Sequence, residues 1–134
     1  MAISETDEAL IGQALAAREH ALASFSNYQV GAALRTTSGE VFTGCNIENA
    51  IMSVSACAEV VALHKALSSG ARSFEAVAVV TSSDPPAVPC GVCRQLLHHW
   101  DVKRVLVANL DGARDEVAID QLLPRPFMLN RTVD

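Results

Sequence analysis

The chain has 134 residues, half of them hydrophobic, and a formal charge of −5 at neutral pH. This length suits one domain with its own core, so we expect a single domain over residues 1–134. The acidic balance argues against nucleic-acid binding, and no apolar run is long enough to cross a membrane. The first residues do not form a signal peptide, and we therefore expect a cytoplasmic protein.

The first third of the chain predicts a helix followed by a β-hairpin. Apolar side chains recur at helical spacing over residues 6–23. Residues 28–35 and 41–45 are predicted strands, because a turn-forming Thr-Ser-Gly-Glu stretch separates them.

The rest of the chain alternates helices and strands. A helix is predicted over residues 56–67 with Ser55 as its N-cap, and buried strands over residues 75–81 and 103–109. The remaining predicted elements are a helix at 91–100, a strand at 116–119 and a helical turn at 121–124. This alternation indicates an α/β layer sandwich with some parallel strand pairs.

Three cysteines and one glutamate form a metal-binding pattern. Cys90 and Cys93 lie three residues apart at the start of a predicted helix, and Cys57 precedes Glu59 by two residues. In a reducing compartment such cysteines bind metals more often than they form disulfides. Three sulfur ligands leave one corner of a zinc tetrahedron open for water, whose protons Glu59 is placed to move. The spacing is typical of zinc-dependent deaminases.

Two other interpretations of the cysteines stay open. Cys-Gly-Val-Cys at a helix start also suits a redox pair, although Cys57 and Glu59 would then have no role. Alternatively, Cys45 supplies a fourth sulfur and closes the site into a structural zinc. Its position at the end of a predicted strand favours a small buried side chain instead.

Arg94 is a candidate partner of the metal site because it directly follows Cys93. Zinc with three thiolates carries a net charge of about −1, which weakens its action on water. We expect Arg94 to donate hydrogen bonds to the sulfurs and offset this charge. A surface arginine is the alternative.

Asn46 and Glu48 alternate along a predicted extended segment, so their side chains share one face. An amide beside a carboxylate suits a pair of sugar hydroxyls, with one group donating and the other accepting. A turn-forming asparagine next to a solvated glutamate is the alternative.

Together these motifs resemble the small, homotetrameric, zinc-dependent cytidine deaminases. The resemblance runs over residues 21–127 and rests on the segments 26–33, 44–50, 57–59, 89–95 and 122–124. It implies a three-layer α/β/α sandwich around a mixed sheet of about five strands, one zinc per subunit and a homotetramer. It also implies hydrolysis of cytidine and deoxycytidine to uridine and deoxyuridine, with release of ammonia.

The resemblance also assigns roles to residues. Tyr28 lies where the family usually has a phenylalanine beside the base, and Phe127 matches an aromatic residue that reaches a site in the tetramer. In the reaction that we expect, backbone groups near Ala58 and Cys90 are candidates to hold the base edge. The other roles are zinc binding by Cys57, Cys90 and Cys93, proton transfer by Glu59, and ribose binding by Asn46 and Glu48.

The chain departs from the family pattern at three places. It has Ser24-Phe25 where Pro-Tyr is common, Ile51-Met52-Ser53 where Ser-Tyr-Gly is common, and Val60 where an arginine is usual. The stretch 57–61 is similar to blasticidin S deaminase. A blasticidin S-type or relaxed deaminase is therefore the alternative substrate class, and a structural-zinc or redox module is the alternative from another class.

Overall fold

A computed structural model describes residues 3–129. Within this range the elements, in chain order, are α1 (Glu5–Arg18), β1 (Gly31–Thr36), β2 (Val41–Cys45), a 3-10 turn (Met52–Val54), α2 (Ala58–Ser68), β3 (Phe74–Val80), α3 (Gly91–His99), β4 (Arg104–Ala108), β5 (Arg114–Ala118) and α4 (Ile119–Leu122).

The strands form one sheet in the order β2-β1-β3-β4-β5. The pair β3–β4 is parallel and the other pairs are antiparallel, which confirms the predicted mixed sheet of five strands. All six residues of β1 are buried, because helices cover both faces of the sheet at this strand.

Helices on both faces complete the predicted three-layer sandwich. On one face α1 packs its Leu10 and Ile11 against small side chains of the central strands. On the other face α2 places Leu63 in a cluster with valines of β3 and β4, and Leu97 of α3 joins the same cluster. Alanine-rich strands let these helices approach closely, so a core with few aromatic rings is still well filled.

Gly44 sets the position of the helix that carries part of the candidate site. A Cβ atom on Gly44 would clash with the carbonyl oxygen of Ala58, the first residue of α2. Only glycine therefore lets the start of α2 lie directly on β2.

Several boundaries differ from the sequence expectation for identifiable reasons. Helix α1 ends at Arg18, because the following segment turns back and Leu22 forms a bridge with Ile47. The N-cap of α2 is Cys57, whereas the predicted N-cap Ser55 uses its hydroxyl to accept from the backbone N–H of Asn49. No helix in residues 3–129 combines the length and apolar character needed to cross a membrane.

Candidate active site

The three predicted zinc ligands meet at the starts of two helices. Cys57 is the N-cap of α2, Cys90 is the N-cap of α3, and Cys93 lies in the first turn of α3. Neither N-cap sulfur makes a capping hydrogen bond, so both thiols are free to face a ligand. The positive ends of the two helix dipoles favour thiolates at this point.

The geometry of the three sulfurs fits a zinc ion. The sulfurs of Cys57, Cys90 and Cys93 all lie within 4.8 Å of one another. Those of Cys57 and Cys90 are 3.9 Å apart. A zinc tetrahedron with bonds of about 2.3 Å requires sulfurs about 3.8 Å apart. Cys45 is not part of this group, so the described residues leave the fourth corner of the tetrahedron open.

The pKa values of two of these thiols also differ from those of a free cysteine, in a way that suits metal binding. A hydrogen bond from Cys93 lowers the pKa of Cys57 to about 6. The same hydrogen bond, together with burial, raises the pKa of Cys93. Cys57 therefore ionises more readily than Cys93, and a divalent cation bound between the sulfurs would favour the thiolate form.

Glu59 lies beside the cluster in the first turn of α2 and is only 6% exposed. Burial raises the pKa of its carboxyl group to about 7, and no ion pair with Glu59 occurs in the part of the chain described here. A carboxyl group that titrates near neutrality can accept a proton in one step and donate it in the next.

A cavity of about 370 Å³ adjoins the cluster and is large enough for a small organic molecule. It is lined by residues predicted from separate parts of the chain, namely Tyr28, Asn46, Glu48, Cys57, Ala58, Glu59 and Cys90. The fold thus brings the metal ligands, the buried carboxyl group and the predicted sugar-binding pair to one space.

Asn46 is buried and shapes the sugar side of the cavity. Its side-chain oxygen accepts from the backbone N–H of Val30 at 2.9 Å, and its amide nitrogen donates to the carbonyl of Tyr28 at 2.8 Å. A further contact of 3.3 Å joins the amide to the carboxylate of Glu48. The two side chains are therefore neighbours, as expected from their alternation along an extended segment.

The Glu48 carboxylate is held by the loop before β1, and local sequence spacing does not predict this contact. One carboxylate oxygen accepts from the backbone N–H groups of Phe25 and Ser26, each at 2.9 Å. The other accepts from the Ser26 hydroxyl at 2.5 Å. These bonds, chiefly the one from the Ser26 hydroxyl, hold the pKa of Glu48 below its usual value. Ser26 begins the segment 26–33 of the family resemblance, but its contact with Glu48 spans 22 positions and leaves no local signal in the sequence.

The side chains of Arg94 and Phe127 do not line the cavity of this chain. Arg94 donates to the carbonyl oxygens of Pro89 at 2.7 Å and Leu122 at 2.9 Å, and none of its described hydrogen bonds goes to a sulfur. It thus connects the turn before Cys90 to α4. Phe127 is 70% exposed and does not line the cavity, although its backbone pairs with the side chain of Gln95.

The fold and the cysteine cluster define a zinc-binding deaminase domain. Residues 4–109 match the family described as the cytidine and deoxycytidylate deaminase zinc-binding region. The match covers most of the chain, and the protein belongs to this family of zinc-dependent enzymes.

The similar proteins agree with this assignment. A cytidine deaminase of Sporosarcina psychrophila is 43% identical, over 90% of both chains. The crystal structure of a cytidine deaminase from Burkholderia pseudomallei superposes with a TM-score of 0.86 at 44% identity, covering 90% of this chain and 98% of the other. A blasticidin-S deaminase of Bacillus cereus is 29% identical over 78% of this chain and 81% of its own.

Proposed function

We propose that the protein hydrolyses cytidine and deoxycytidine to uridine and deoxyuridine, with release of ammonia, in pyrimidine salvage. One observation carries this proposal. A single cavity is lined by Cys57 and Cys90 of the three-thiol cluster, by the buried Glu59 and by the hydrogen-bonded pair Asn46 and Glu48. The cytidine deaminases at 43% and 45% identity support the same substrate class.

Glu59 moves the protons of the proposed reaction. When bound by Cys57, Cys90 and Cys93, zinc supplies a Lewis acid that activates water. Glu59 takes a proton from the attacking water and passes it to the ring nitrogen next to the reacting carbon. It then transfers the second proton to the amino group, which leaves as ammonia when its bond to carbon breaks. A pKa of about 7 lets the carboxyl group act first as base and then as acid.

The remaining cavity residues orient the nucleoside. Asn46 and Glu48 are proposed to bind the sugar, with Glu48 present as an ionised acceptor for a hydroxyl group. Tyr28 and the backbone of Ala58 are proposed to contact the base. Their placement around the same cavity as Glu59 supports these roles.

A substrate panel tests this proposal. Purified, zinc-loaded protein is mixed in turn with cytidine, deoxycytidine, cytosine and blasticidin S, and the loss of cytosine absorbance is followed. We expect turnover of the two nucleosides and little turnover of free cytosine. Absence of turnover with all four compounds would contradict deaminase activity in this panel.

Blasticidin S is the second candidate substrate, favoured by the 29% identical blasticidin-S deaminase and by the similarity over residues 57–61. The hydrogen-bonded pair Asn46 and Glu48 favours cytidine instead, because its amide and carboxylate suit a sugar with a free hydroxyl group. Turnover of blasticidin S without turnover of cytidine would move the substrate assignment and leave the chemistry unchanged.

We further propose a cytoplasmic homotetramer in which Phe127 reaches the site of a neighbouring subunit. Large apolar side chains that are more than half exposed in the described part of the single chain support burial between subunits; they are Leu22, Phe25, Ile51, Met52, Val54, Val92, Phe127, Met128 and Leu129. Sedimentation at assay concentration tests this, and an active monomer would contradict it. Four free cysteines suit a reducing compartment.

A further inference from the structure

Tyr28 makes a side-chain contact that the proposed reaction does not use. Its hydroxyl group lies 2.5 Å from the hydroxyl of Ser83, which is 55 positions away in the chain. Tyr28 belongs to the loop before β1, and Ser83 belongs to the loop that joins β3 to α3 and ends at Cys90. The hydrogen bond therefore connects a residue that lines the cavity with the loop that carries a metal ligand.

Tyr28 is fixed at its backbone as well as at its hydroxyl. Its N–H donates to the Ser26 hydroxyl at 3.1 Å, and its carbonyl accepts from the amide of Asn46 at 2.8 Å. With the Ser83 contact, the side chain is held at both ends. A ring held in this way loses little further freedom when a ligand packs on it.

Ser83 is itself anchored to the sheet. Its N–H donates to the Thr81 hydroxyl at 3.2 Å, and the N–H of Thr81 donates to the carbonyl of Ala108 at the end of β4. Thr81 lines the same cavity as Tyr28, whereas Ser83 does not. Ser83 can therefore affect a bound molecule only through the residues it holds.

We propose that Ser83 is a positioning residue, which holds the Tyr28 ring as a fixed wall for the planar cytosine base through the hydroxyl–hydroxyl contact. The inference rests on the proposed function. It depends on the tyrosine hydroxyl, because a phenylalanine at position 28 has no group to bond Ser83. The contact organises the free enzyme for binding, so its loss should raise KM more than it lowers kcat.

The contact can be observed without an activity measurement, because Tyr28 is the only tyrosine in the chain. The tyrosine doublet in ultraviolet resonance Raman spectra depends on hydrogen bonding of the phenol and here reports on one residue. We expect Ser83→Ala to shift the intensity ratio of this doublet in the zinc-loaded protein. Ser83→Thr, which keeps a hydroxyl group, should retain most of the wild-type ratio.

Kinetics then test the role in binding. Ser83→Ala and Tyr28→Phe should each raise KM for cytidine about three- to tenfold, the effect of losing one neutral hydrogen bond, with kcat changed by less than about twofold. The double variant should be no worse than either single one, since both remove the same bond. Ser83→Thr should restore KM. Ser82→Ala, at the exposed neighbouring position, is the matched control and should change neither KM nor the spectrum.

Three results would overturn the inference. An unchanged doublet in Ser83→Ala would show that the bond does not form in solution, and an unchanged KM would show that it does not serve binding. If Ser83→Ala lost kcat and bound zinc to the same extent, Ser83 would only stabilise the loop between β3 and α3 that ends at the metal ligand Cys90. If Ser83→Ala does not fold, Tyr28→Phe decides through KM alone. A wild-type protein that ignores cytidine would instead overturn the proposed function, and the base-binding role with it.

Discussion

The two faces of the sheet each bury a carboxyl group, and the two groups differ in what surrounds them. Asp7 of α1 is 2% exposed, and Glu59 of α2 is 6% exposed. Burial would raise the pKa of Asp7, but hydrogen bonds from Arg104 and Arg35 outweigh it and hold that pKa well below its usual range. Burial raises the pKa of Glu59 to about 7, and no cation of residues 3–129 contributes to lowering it.

This difference separates a structural carboxylate from a reactive one. Asp7 bonds Arg35 at 3.1 Å and Arg104 at 2.8 Å, so it stays ionised and cannot exchange protons near neutrality. Glu59 lies beside thiols instead of guanidinium groups and can change its protonation state at neutral pH. On one face the buried carboxylate of Asp7 forms ion pairs that stabilise the fold. On the other face the buried carboxyl group of Glu59 can transfer protons.

The largest expected effect comes from removing the reactive carboxyl group. Glu59→Gln keeps the shape of the side chain but cannot transfer protons, so kcat for cytidine should fall by a factor of roughly a hundred to ten thousand. Steady-state kinetics measure the fall, and metal analysis should still find about one zinc per chain. Near-normal turnover in this variant would remove Glu59 from the mechanism.

Removing the structural carboxylate should affect stability and leave the chemistry intact. Within residues 3–129, Asp7→Asn leaves Arg35 and Arg104 with Glu75 and Glu116 as their carboxylate partners. We expect the free energy of unfolding in urea to fall by about 3 kcal/mol, the lower end for a broken buried ion pair. Glu5→Gln, at an exposed position on the same helix, is the control and should change it little. A large loss of kcat in folded Asp7→Asn would contradict the separation of the two faces.

The pH dependence of stability offers a second view of Asp7. Its folded-state pKa lies below the unfolded value, so its contribution is complete above the unfolded pKa of about 4 and is lost as the pH falls further. Urea midpoints measured from pH 7 to pH 3 should therefore fall less steeply in Asp7→Asn than in the wild type. Identical slopes would show that Asp7 is not held ionised in the folded protein.

Glu48 is an intermediate case between the two buried carboxyl groups. It is partly exposed and is kept ionised by neutral donors instead of arginines. Glu48→Ala should lower kcat/KM for cytidine roughly ten- to a hundredfold, because a charge-assisted hydrogen bond to the sugar is lost. The low activity towards free cytosine should hardly change, since cytosine lacks the sugar. Equal losses on both compounds would assign Glu48 a purely structural role.

The sequence predicted the metal site better than its surroundings, for a physical reason. Cys90 and Cys93, like Cys57 and Glu59, lie within one helical turn of each other, so their local spacing already determines their geometry. The alternation of elements indicated an α/β layer sandwich, whereas the three-layer order was implied by the family resemblance. By contrast, the Asp7–Arg104 ion pair joins residues 97 positions apart, and only the folded sheet brings them together.

Two sequence expectations about hydrogen-bonding partners differ from the bonds in the described structure, because several groups compete for each donor or acceptor. Ser55 is a good N-cap by type, yet Asn49 occupies its hydroxyl and Cys57 takes the N-cap position. Arg94 was expected to donate to the sulfurs, yet the carbonyl oxygens of Pro89 and Leu122 lie within reach of its guanidinium group. Residue type gives the capacity to form a bond, and the fold determines which partner is available.

The smallest expected effect concerns the hydroxyl group that orients Glu48. The Ser26 hydroxyl accepts from the N–H of Tyr28, so its own proton is directed to the Glu48 carboxylate. Ser26→Ala leaves the two backbone donors to Glu48 in place, and it removes the hydroxyl donor together with the acceptor of the Tyr28 N–H. We expect kcat/KM for cytidine to fall about three- to tenfold, because the carboxylate is less well oriented.

The sugar itself provides the control for that variant. A 2′,3′-dideoxycytidine substrate has no 3′-hydroxyl for Glu48 to accept from, so Ser26→Ala should change its kcat/KM by less than about twofold. Ser26→Thr keeps the hydroxyl group and should recover most of the activity on cytidine. In a Glu48→Ala background, Ser26→Ala should have no further effect, because both changes act on the same contact. Equal losses on cytidine and on the dideoxy substrate would mean that Ser26 shapes the loop before β1 and does not act through the Glu48 carboxylate.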